Sequence, residues 1–255
     1  DIAIAQKEEQ EIVLNGAKVD FNKEGAVSQH TFYQNGKLHG TCKSFYPNGK
    51  VQSQMSYVDG VLHGVVESFD AEGNLREKGH YVNGLIDAEL TQYYPNGAKA
   101  ALFPHHEGQL HGVAQNWHPN GVLNVQRHFV MGKLEGDGQN PAHLVYDEGR
   151  NVIEALDFKN GEPFGLHTQY YPSGKEKYKV MYKHGKKDGF EQFFDEKGEL
   201  LGSGLFQNGE KCLIEGIENE IDSKLDPLLD KQLLPSNSKM KKIMIGPKVM
   251  DFDEK

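Results

Sequence analysis

Polar and apolar residues alternate along most of the chain, in short runs that end at glycine-containing turns. In one such run Thr41, Lys43 and Phe45 would share a face, because side chains of a strand alternate between its two faces. The runs are rich in aromatic and β-branched residues, and Asn-Gly, Asp-Gly or Pro-Asn-Gly separates them. Such runs and turns are typical of β-hairpins. The pattern therefore predicts antiparallel strands that are joined by tight turns.

The turns recur with a fixed spacing, which indicates tandem repeats. One column contains the glycines of the Asn-Gly type turns: Gly36, Gly60, Gly84, Gly108, Gly132, Gly161, Gly185 and Gly209. Its members are 24 residues apart, except for an interval of 29 between Gly132 and Gly161. A second column is Gly40, Gly64, Gly112, Gly136, Gly165 and Gly189, with Ala88 in the one gap. A third column, in the Pro-Asn-Gly turns, is Gly25, Gly49, Gly73, Gly97, Gly121, Gly149, Gly174 and Gly198. The three columns predict roughly seven two-strand units over residues 16–212.

Successive units would pair edge to edge and form an all-β, elongated antiparallel ribbon. Neighbouring strands lie about 4.8 Å apart, so each unit would extend the ribbon by roughly 10 Å. An isolated hairpin is not stable in water, whereas repetition covers the edges and aromatic residues of one unit with those of the next. We therefore expect stability to increase with each added unit.

Aromatic residues follow the same period. One column is Tyr33, Tyr57, Tyr81, His105, Phe129, Phe158, Tyr182 and Phe206, and another is Phe45, Phe69, Tyr93, Trp117, Val145, Tyr170 and Phe194. A third column, shifted by one residue and so expected on the opposite face, is Tyr46, Tyr94, His118, Tyr146 and Tyr171. These side chains either pack along the ribbon or remain accessible for recognition, for which Tyr and Trp are well suited. The candidate binding residues are Tyr46, Tyr93, Tyr94, Trp117, His118, Tyr170 and Tyr171.

Four segments resemble a known repeat. They read FYQNGKLHG from Phe32, SYVDGVLHG from Ser56, HHEGQLHG from His105 and MYKHGKKDG from Met181. Together with the Tyr-Tyr-Pro-Asn-Gly turn they resemble the MORN repeat, in the variant form of bacterial proteins labelled YwqK-family antitoxins. The resemblance implies a curved, single-layer antiparallel sheet of tandem 24-residue hairpin repeats that acts as a scaffold or binding platform. The chain departs from the repeat at Ala88, at Pro163 and in residues 137–143, where we expect less regular geometry.

Composition narrows the function. Of 255 residues 37% are hydrophobic and 29 are glycine, which favours a thin, turn-rich structure over a thick core. The net charge of −9 argues against binding to nucleic acid or to an anionic membrane surface. No run of 18 apolar residues is present, so no membrane-spanning segment is predicted. A cleaved export signal or a trimmed terminus would explain why the chain begins with Asp1, and the bacterial periplasm or cell surface is favoured over the cytoplasm.

Candidate chemistry is sparse. Cys42 and Cys212 lie in the first and last units, too far apart for a disulfide, which needs Cα atoms within about 7 Å. No nucleophile, phosphate-loop or metalloprotease motif is present, so we expect no enzymatic activity and no cofactor.

Three histidines, at positions 39, 63 and 111, precede glycines of the second column. Equivalent positions would be about 10 Å apart, too far to share a metal ion, so we expect turn histidines that are hydrogen-bonded to the backbone. His105 would pack within the aromatic column, and a zinc site that uses His105, His118 or His128 is the alternative.

The irregular unit and the two ends depart from the period. Five extra residues fall within Glu135 to His143 and predict a kink in the ribbon or a functional insertion. Residues 1–15 form a polar lead-in. Residues 213–255 predict short helices that cap the last strand, followed by an extended tail, because apolar residues recur there at helical spacing.

These observations predict a non-enzymatic binding or scaffolding protein that recognises a protein or peptide along its sheet. The alternative is an exported protein that binds glycan or cell envelope through exposed aromatic residues. A hydrolase or metal enzyme is the third hypothesis, and it has no supporting motif.

Overall fold

The computed structural model describes residues 13–212, which belong to one compact unit. This part of the chain contains strands and turns and no helix. The strands are β1 (Gly16–Phe21), β2 (Val27–Gln34), β3 (Lys37–Leu38), β4 (Gly40–Phe45), β5 (Val51–Val58), β6 (Val61–Phe69), β7 (Leu75–Val82), β8 (Leu85–Ile86), β9 (Ala88–Tyr93), β10 (Lys99–His106), β11 (Gln109–Leu110), β12 (Gly112–Trp117), β13 (Leu123–Val130), β14 (Lys133–Leu134), β15 (His143–Tyr146), β16 (Val152–Leu156), β17 (Phe158–Lys159), β18 (Glu162–Pro163), β19 (Gly165–Tyr170), β20 (Glu176–Lys183), β21 (Lys186–Phe194), β22 (Leu200–Gln207) and β23 (Glu210–Lys211).

Sequential strands pair with each other in antiparallel fashion. Twenty-one strands form one sheet, and β17 with β18 forms a separate two-stranded ladder. The pairing Cys42↔Met55 continues as Met55↔Val66, so equivalent residues of successive units lie in register across the sheet. The all-β antiparallel hairpin array that the repeat period predicts is confirmed. The C-terminal helices and the first twelve residues of the lead-in lie outside the described residues.

One turn of each unit has two consecutive residues in the left-handed region. Asn35 and Gly36 have φ of 51° and 74°, and the same pair of positive angles recurs at each Asn-Gly type turn within residues 13–212. This is the geometry of a type I′ turn, whose twist matches that of the flanking strands. Glu107 and Met131, with φ of 49° and 47°, adopt it without the usual Asn or Asp.

The other turn follows a β-bulge. Ser44 pairs with Ser53, but Phe45 pairs with Val51, and the same register shift recurs at the equivalent place in the other units of residues 13–212. The turn is then closed by the N–H of Tyr46, which donates to Lys50 O at 2.8 Å, and by that of Gly49, which donates to Tyr46 O at 2.9 Å. A bulge of this kind bends the strand and re-aims the side chains beside it.

The sheet has two unlike faces. The packed face carries most of the buried side chains, among them Cys42, Val66, Ala101, Ala114, Phe129, Leu156, Tyr178 and Val180. The open face carries Lys43, Glu67, Gln115 and Leu144 at mid-strand, and beside the bulges the column Phe45, Phe69, Tyr93, Trp117, Tyr146, Tyr170 and Phe194. The side chains of this open-face column are only half-buried. They are therefore available to a ligand that binds to aromatic residues.

Two assignments made from the sequence are corrected. Tyr146 pairs with Val152 as Phe45 pairs with Val51, so it belongs to the open-face column in place of Val145 and does not belong to the column of Tyr46. Arg150, with φ of 68°, occupies the left-handed turn position that Gly49 holds in the first turn, and Gly149 lies one residue before it. In this unit Gly149 therefore lies one residue before the left-handed turn position, which the backbone conformation shows and the sequence does not.

The places where the repeat departs from its pattern behave differently. Ala88 keeps regular geometry, because it adopts φ of 83° as Gly40 does. Pro163 keeps the register of the repeat, because it pairs with Phe158 as Leu38 pairs with Tyr33, although this pair of short strands is separate from the large sheet. The five extra residues lie between β14 and β15. Gly136, in the segment that follows β14, packs closely against Asp157. A Cβ at this position would lie only 2.0 Å from Asp157 Oδ1.

Both cysteines are free thiols in the structure, with Cys42 buried on the packed face and Cys212 partly buried at the end of the described residues. Burial raises the pKa of the Cys42 thiol above its ordinary value. A thiol in such surroundings is an inert packing residue rather than a nucleophile.

Candidate binding surface

The tyrosines of the third aromatic column hold neighbouring units together. Tyr46, Tyr94 and Tyr171 lie in the turns that follow the bulges. Their hydroxyls donate hydrogen bonds to main-chain carbonyls of the next unit: Tyr46 to Phe69 O at 2.8 Å, Tyr94 to Trp117 O at 2.7 Å and Tyr171 to Phe194 O at 2.8 Å. These contacts give the three side chains a structural role at this margin of the sheet, and any part they take in binding stays a prediction.

Further side chains of the same turns repeat this link. Asn48 Nδ2 donates to Ala71 O at 2.8 Å, and Lys50 Nζ donates to Glu72 O at 2.6 Å. Two units further along the chain, Asn96 Nδ2 donates to Pro119 O at 3.1 Å. We call this set the turn ladder: hydrogen bonds from Tyr, Asn or Lys of one Pro-Asn-Gly turn to carbonyls of the following turn. His118 occupies the position of Tyr46, and its backbone N–H closes its own turn.

The opposite margin has a second ladder, which includes the three turn histidines. His39, His63 and His111 each accept, through Nδ1, the N–H of the left-handed residue in the following turn, at 3.4–3.5 Å. Asp87 Oδ1 and Asp188 Oδ2 take the same part for Glu107 and Asn208. The prediction that these histidines bond to the backbone is confirmed, and the same contacts explain how Glu107 and Met131 are held in the left-handed region.

His105 and His128 also bond to the main chain. His105 is buried in the aromatic column, with Nδ1 2.8 Å from Phe103 O, and burial lowers its pKa. His128 Nδ1 lies 2.6 Å from Glu135 O. Within residues 13–212 no group of three or more His, Cys, Asp or Glu side chains is arranged to hold a metal ion. The zinc alternative therefore has no ligand set in this part of the chain.

Trp117 lies in a pocket on the open face. The pocket has a volume of about 320 Å³ and is lined by Trp117, Gly121, Leu123, Tyr146 and Arg150. Trp117 and Leu123 face each other across the bulge of the β12–β13 hairpin, and Tyr146 comes from the equivalent position of the next one. We call this the Trp117 pocket. The sequence indicated Trp117, but the shifted alignment of the fifth unit hid Tyr146 and Arg150.

The turn that carries Arg150 is fixed by Asp147. Asp147 Oδ1 accepts hydrogen bonds from the N–H of Asn151 at 2.8 Å and from Asn151 Nδ2 at 3.3 Å. These bonds to Asn151 hold the pKa of the Asp147 carboxyl below its ordinary value. The exposed Arg150 guanidinium has no hydrogen-bond or ion-pair partner within the described part of the chain. An aromatic pocket with a free cation at its rim can take an apolar group next to an anionic one.

The first units carry a second depression on the open face. It has a volume of about 490 Å³ and is lined by His30, Phe32, Thr41, Lys43, Phe45 and Gln54. The rings of His30 and Phe32 are stacked there with centroids 4.7 Å apart. Neither Tyr93 nor Tyr170 lines this depression or the Trp117 pocket, although both belong to the open-face column.

A partly buried polar cluster lies on the packed face behind the irregular unit, and sequence analysis missed it. Arg127 Nε donates to His143 Nδ1 at 3.1 Å, and His143 Nε2 lies 3.4 Å from Glu154. Gln169 Nε2 donates to the other oxygen of Glu154 at 3.0 Å. Burial lowers the pKa of Arg127 and of the neighbouring His167. Every member has a partner, so the cluster is a satisfied structural network.

The comparisons with known proteins agree with this architecture. The model of the MORN repeat variant matches residues 38–59, 62–83, 110–131 and 165–184. No curated protein matches the chain. Residues 13–212 contain no helix that is long and apolar enough to span a membrane. Each matched segment begins near a type I′ turn or includes one, as the hairpin unit requires. Four segments of the antiparallel sheet are therefore similar to the MORN repeat variant.

Proposed function

We propose that this chain is a non-enzymatic binding or scaffolding protein that recognises a protein or peptide on the open face of its sheet. One observation carries the proposal: the packed face is filled by its own side chains, whereas the open face has a half-buried aromatic column and the Trp117 pocket. Half-buried Trp and Tyr side chains supply large contact area with little loss of conformational entropy.

The properties of the surface support a binding role. The Trp117 pocket is partly open to solvent, whereas sites for small substrates are usually enclosed clefts that bury most of the ligand. Hydrogen bonds of the two ladders link several neighbouring units at the margins of the sheet, which supports a rigid surface. A rigid surface loses little entropy when a partner docks.

The chain should be tested against a library of displayed peptides and, in parallel, an array of glycans. We expect selected peptides whose Kd rises at least tenfold in Trp117→Ala, because a central aromatic anchor contributes about 2 kcal/mol or more. Phe194→Ala is the matched control, since Phe194 occupies the same column position in the last unit, away from the pocket.

Each result decides between the hypotheses. Peptide binding that is lost in Trp117→Ala and kept in Phe194→Ala supports the proposal. Glycans that bind through Trp117 while peptides do not would replace it with the envelope-binding alternative. If neither library gives a ligand that depends on Trp117, the proposed surface is wrong.

A further inference from the structure

Arg150 has an unusual backbone conformation beside the Trp117 pocket. Its φ of 68° lies in the left-handed region, where Gly25, Gly49, Gly73, Gly97, Gly121, Gly174 and Gly198 hold the equivalent position of the other turns. Residues other than Gly, Asn and Asp are disfavoured in this region. Non-glycine residues that are held in this region concentrate at functional sites, and the inference runs from the observed outlier to the function.

The strained position brings a cation to an otherwise uncharged pocket. Arg150 is the single charged residue among those that line it. The open-face positions nearby within the described chain are also uncharged, since Leu102, Gln115, Gln126 and Leu144 pair in register across the neighbouring strands. In the first three units the same positions carry Lys43, Glu67 and Lys78, and the last two form an ion pair at 2.9 Å. Arg150 forms no ion pair within residues 13–212, although its turn also contains the carboxylates of Asp147, which bonds to Asn151, and of Glu148.

The volume and the lining residues indicate what else the ligand must offer. A volume of about 320 Å³ equals that of roughly ten water molecules, more than one side chain fills. The aromatic rings of Trp117 and Tyr146 and the side chain of Leu123 suit an apolar group with its adjoining backbone. The guanidinium suits a carboxylate, to which it can donate two parallel hydrogen bonds.

We propose that the Trp117 pocket binds a peptide segment in which an aromatic or large aliphatic residue is followed by an acidic side chain. The apolar side chain packs on Trp117, Tyr146 and Leu123, and the carboxylate pairs with Arg150. This inference rests on the proposed peptide-binding function and names the ligand chemistry of the same site.

An acidic side chain fits better than the free carboxylate of a chain end. Backbone N–H groups commonly hold terminal carboxylates. In this turn Asp147 already uses them, because its Oδ1 accepts the N–H of Asn151 and its carbonyl accepts that of Arg150. The guanidinium is the donor that remains.

The chain offers a built-in reporter for the test, because Trp117 is its only tryptophan. Its fluorescence should be titrated at low salt with two acetylated and amidated peptides, Gly-Phe-Glu-Gly and Gly-Phe-Gln-Gly. We expect the Glu peptide to bind about fivefold more tightly, as an exposed ion pair allows, and the difference to shrink at high salt. In Arg150→Asn the two peptides should bind equally.

Arg150→Asn is a clean variant, because Asn tolerates the left-handed region and the turn is expected to fold at least as stably. Arg150→Lys is the second variant and should retain part of the preference. Thermal unfolding of each variant establishes that it is folded.

The outcomes separate this inference from the proposed function. If both peptides bind equally to the natural chain, or if the preference survives Arg150→Asn, the acidic requirement is wrong while peptide binding stands. If the peptide Gly-Phe with a free terminal carboxylate binds more tightly than the Glu peptide, the ligand is a chain end and the inference is overturned. If no peptide changes the fluorescence of Trp117, both the inference and the proposed site fail.

Discussion

Single residues in the left-handed region show how far the repeat tolerates departures from glycine. Ala88 and Gly40 hold equivalent positions with the same φ of 83°. Alanine loses about 1–2 kcal/mol in this region because its Cβ approaches the following carbonyl oxygen. Ala88 therefore stores strain with no apparent gain, whereas the strain at Arg150 coincides with the rim of a pocket.

Ala88→Gly should stabilise the protein. We expect the free energy of unfolding to rise by about 0.5–1 kcal/mol, since relief of strain exceeds the added entropy of the unfolded chain. Gly40→Ala is the matched control, because a Cβ there would meet no atom within 4 Å and the backbone angle is the same. It should destabilise the protein by a similar amount. Urea denaturation measures both changes, and an unchanged or lower stability of Ala88→Gly would contradict the strain argument.

The hairpin elements are predictable from the sequence because their turns are. The Asn35-Gly36 pair predicts a type I′ turn, as the structure has it, and the alternation of the flanking residues predicts which side chains lie on each face of the sheet. The turn histidines follow from the same spacing. The hydrogen-bond ladders could not be predicted in this way, because the sequence does not show that the hydroxyl of Tyr46 reaches a main-chain carbonyl of the next unit.

The candidate site was only partly predictable for a related reason. Trp117 follows the period, but Tyr146 and Arg150 lie in the unit whose glycine, Gly149, comes one residue early. Alignment on that glycine places Tyr146 on the wrong face. The backbone angle of Arg150 is a property of the folded turn, and no composition or spacing rule reports it.

The turn ladder should contribute to stability one hydrogen bond at a time. Tyr171→Phe removes the bond to Phe194 O and leaves that carbonyl without its donor. We expect a loss of about 1 kcal/mol in the free energy of unfolding. Tyr170→Phe is the adjacent control, because the Tyr170 hydroxyl has no hydrogen-bond partner among residues 13–212. Denaturant unfolding that gives equal losses for both variants would remove the ladder as a source of stability.

The molecule as a whole consists of equivalent units that contact mainly their neighbours. In such an array, stability is approximately a sum over units and over the interfaces between them. Register is demanding, however, because a shift by one residue moves every side chain of a strand to the opposite face. We therefore expect the protein to fold after deletion of one whole repeat period. We expect it not to fold when the deletion is one residue shorter than a period.

Deletion of residues 41–64 tests this at the scale of the chain. The cut joins Gly40 to Val65, so the next residue of the equivalent strand follows in phase and His39 meets the turn of Asn83 in place of His63. We expect a folded, β-rich protein with reduced stability by circular dichroism and gel filtration. Deletion of residues 41–63 is the control and should yield an aggregated or unfolded chain. Similar behaviour of the two deletions would refute the register argument.

The turn ladder also has a mechanical consequence. Each of its bonds crosses one boundary, from a donor in one turn to a carbonyl 23 residues later in the case of the tyrosines. When the two ends of residues 13–212 are pulled apart, the boundaries share no bond and can rupture separately. The chain then lengthens in steps of one period, roughly 80 Å of contour for 24 residues at full extension. Such a sheet yields to force in a series of small extensions and keeps the units that have not yet opened intact.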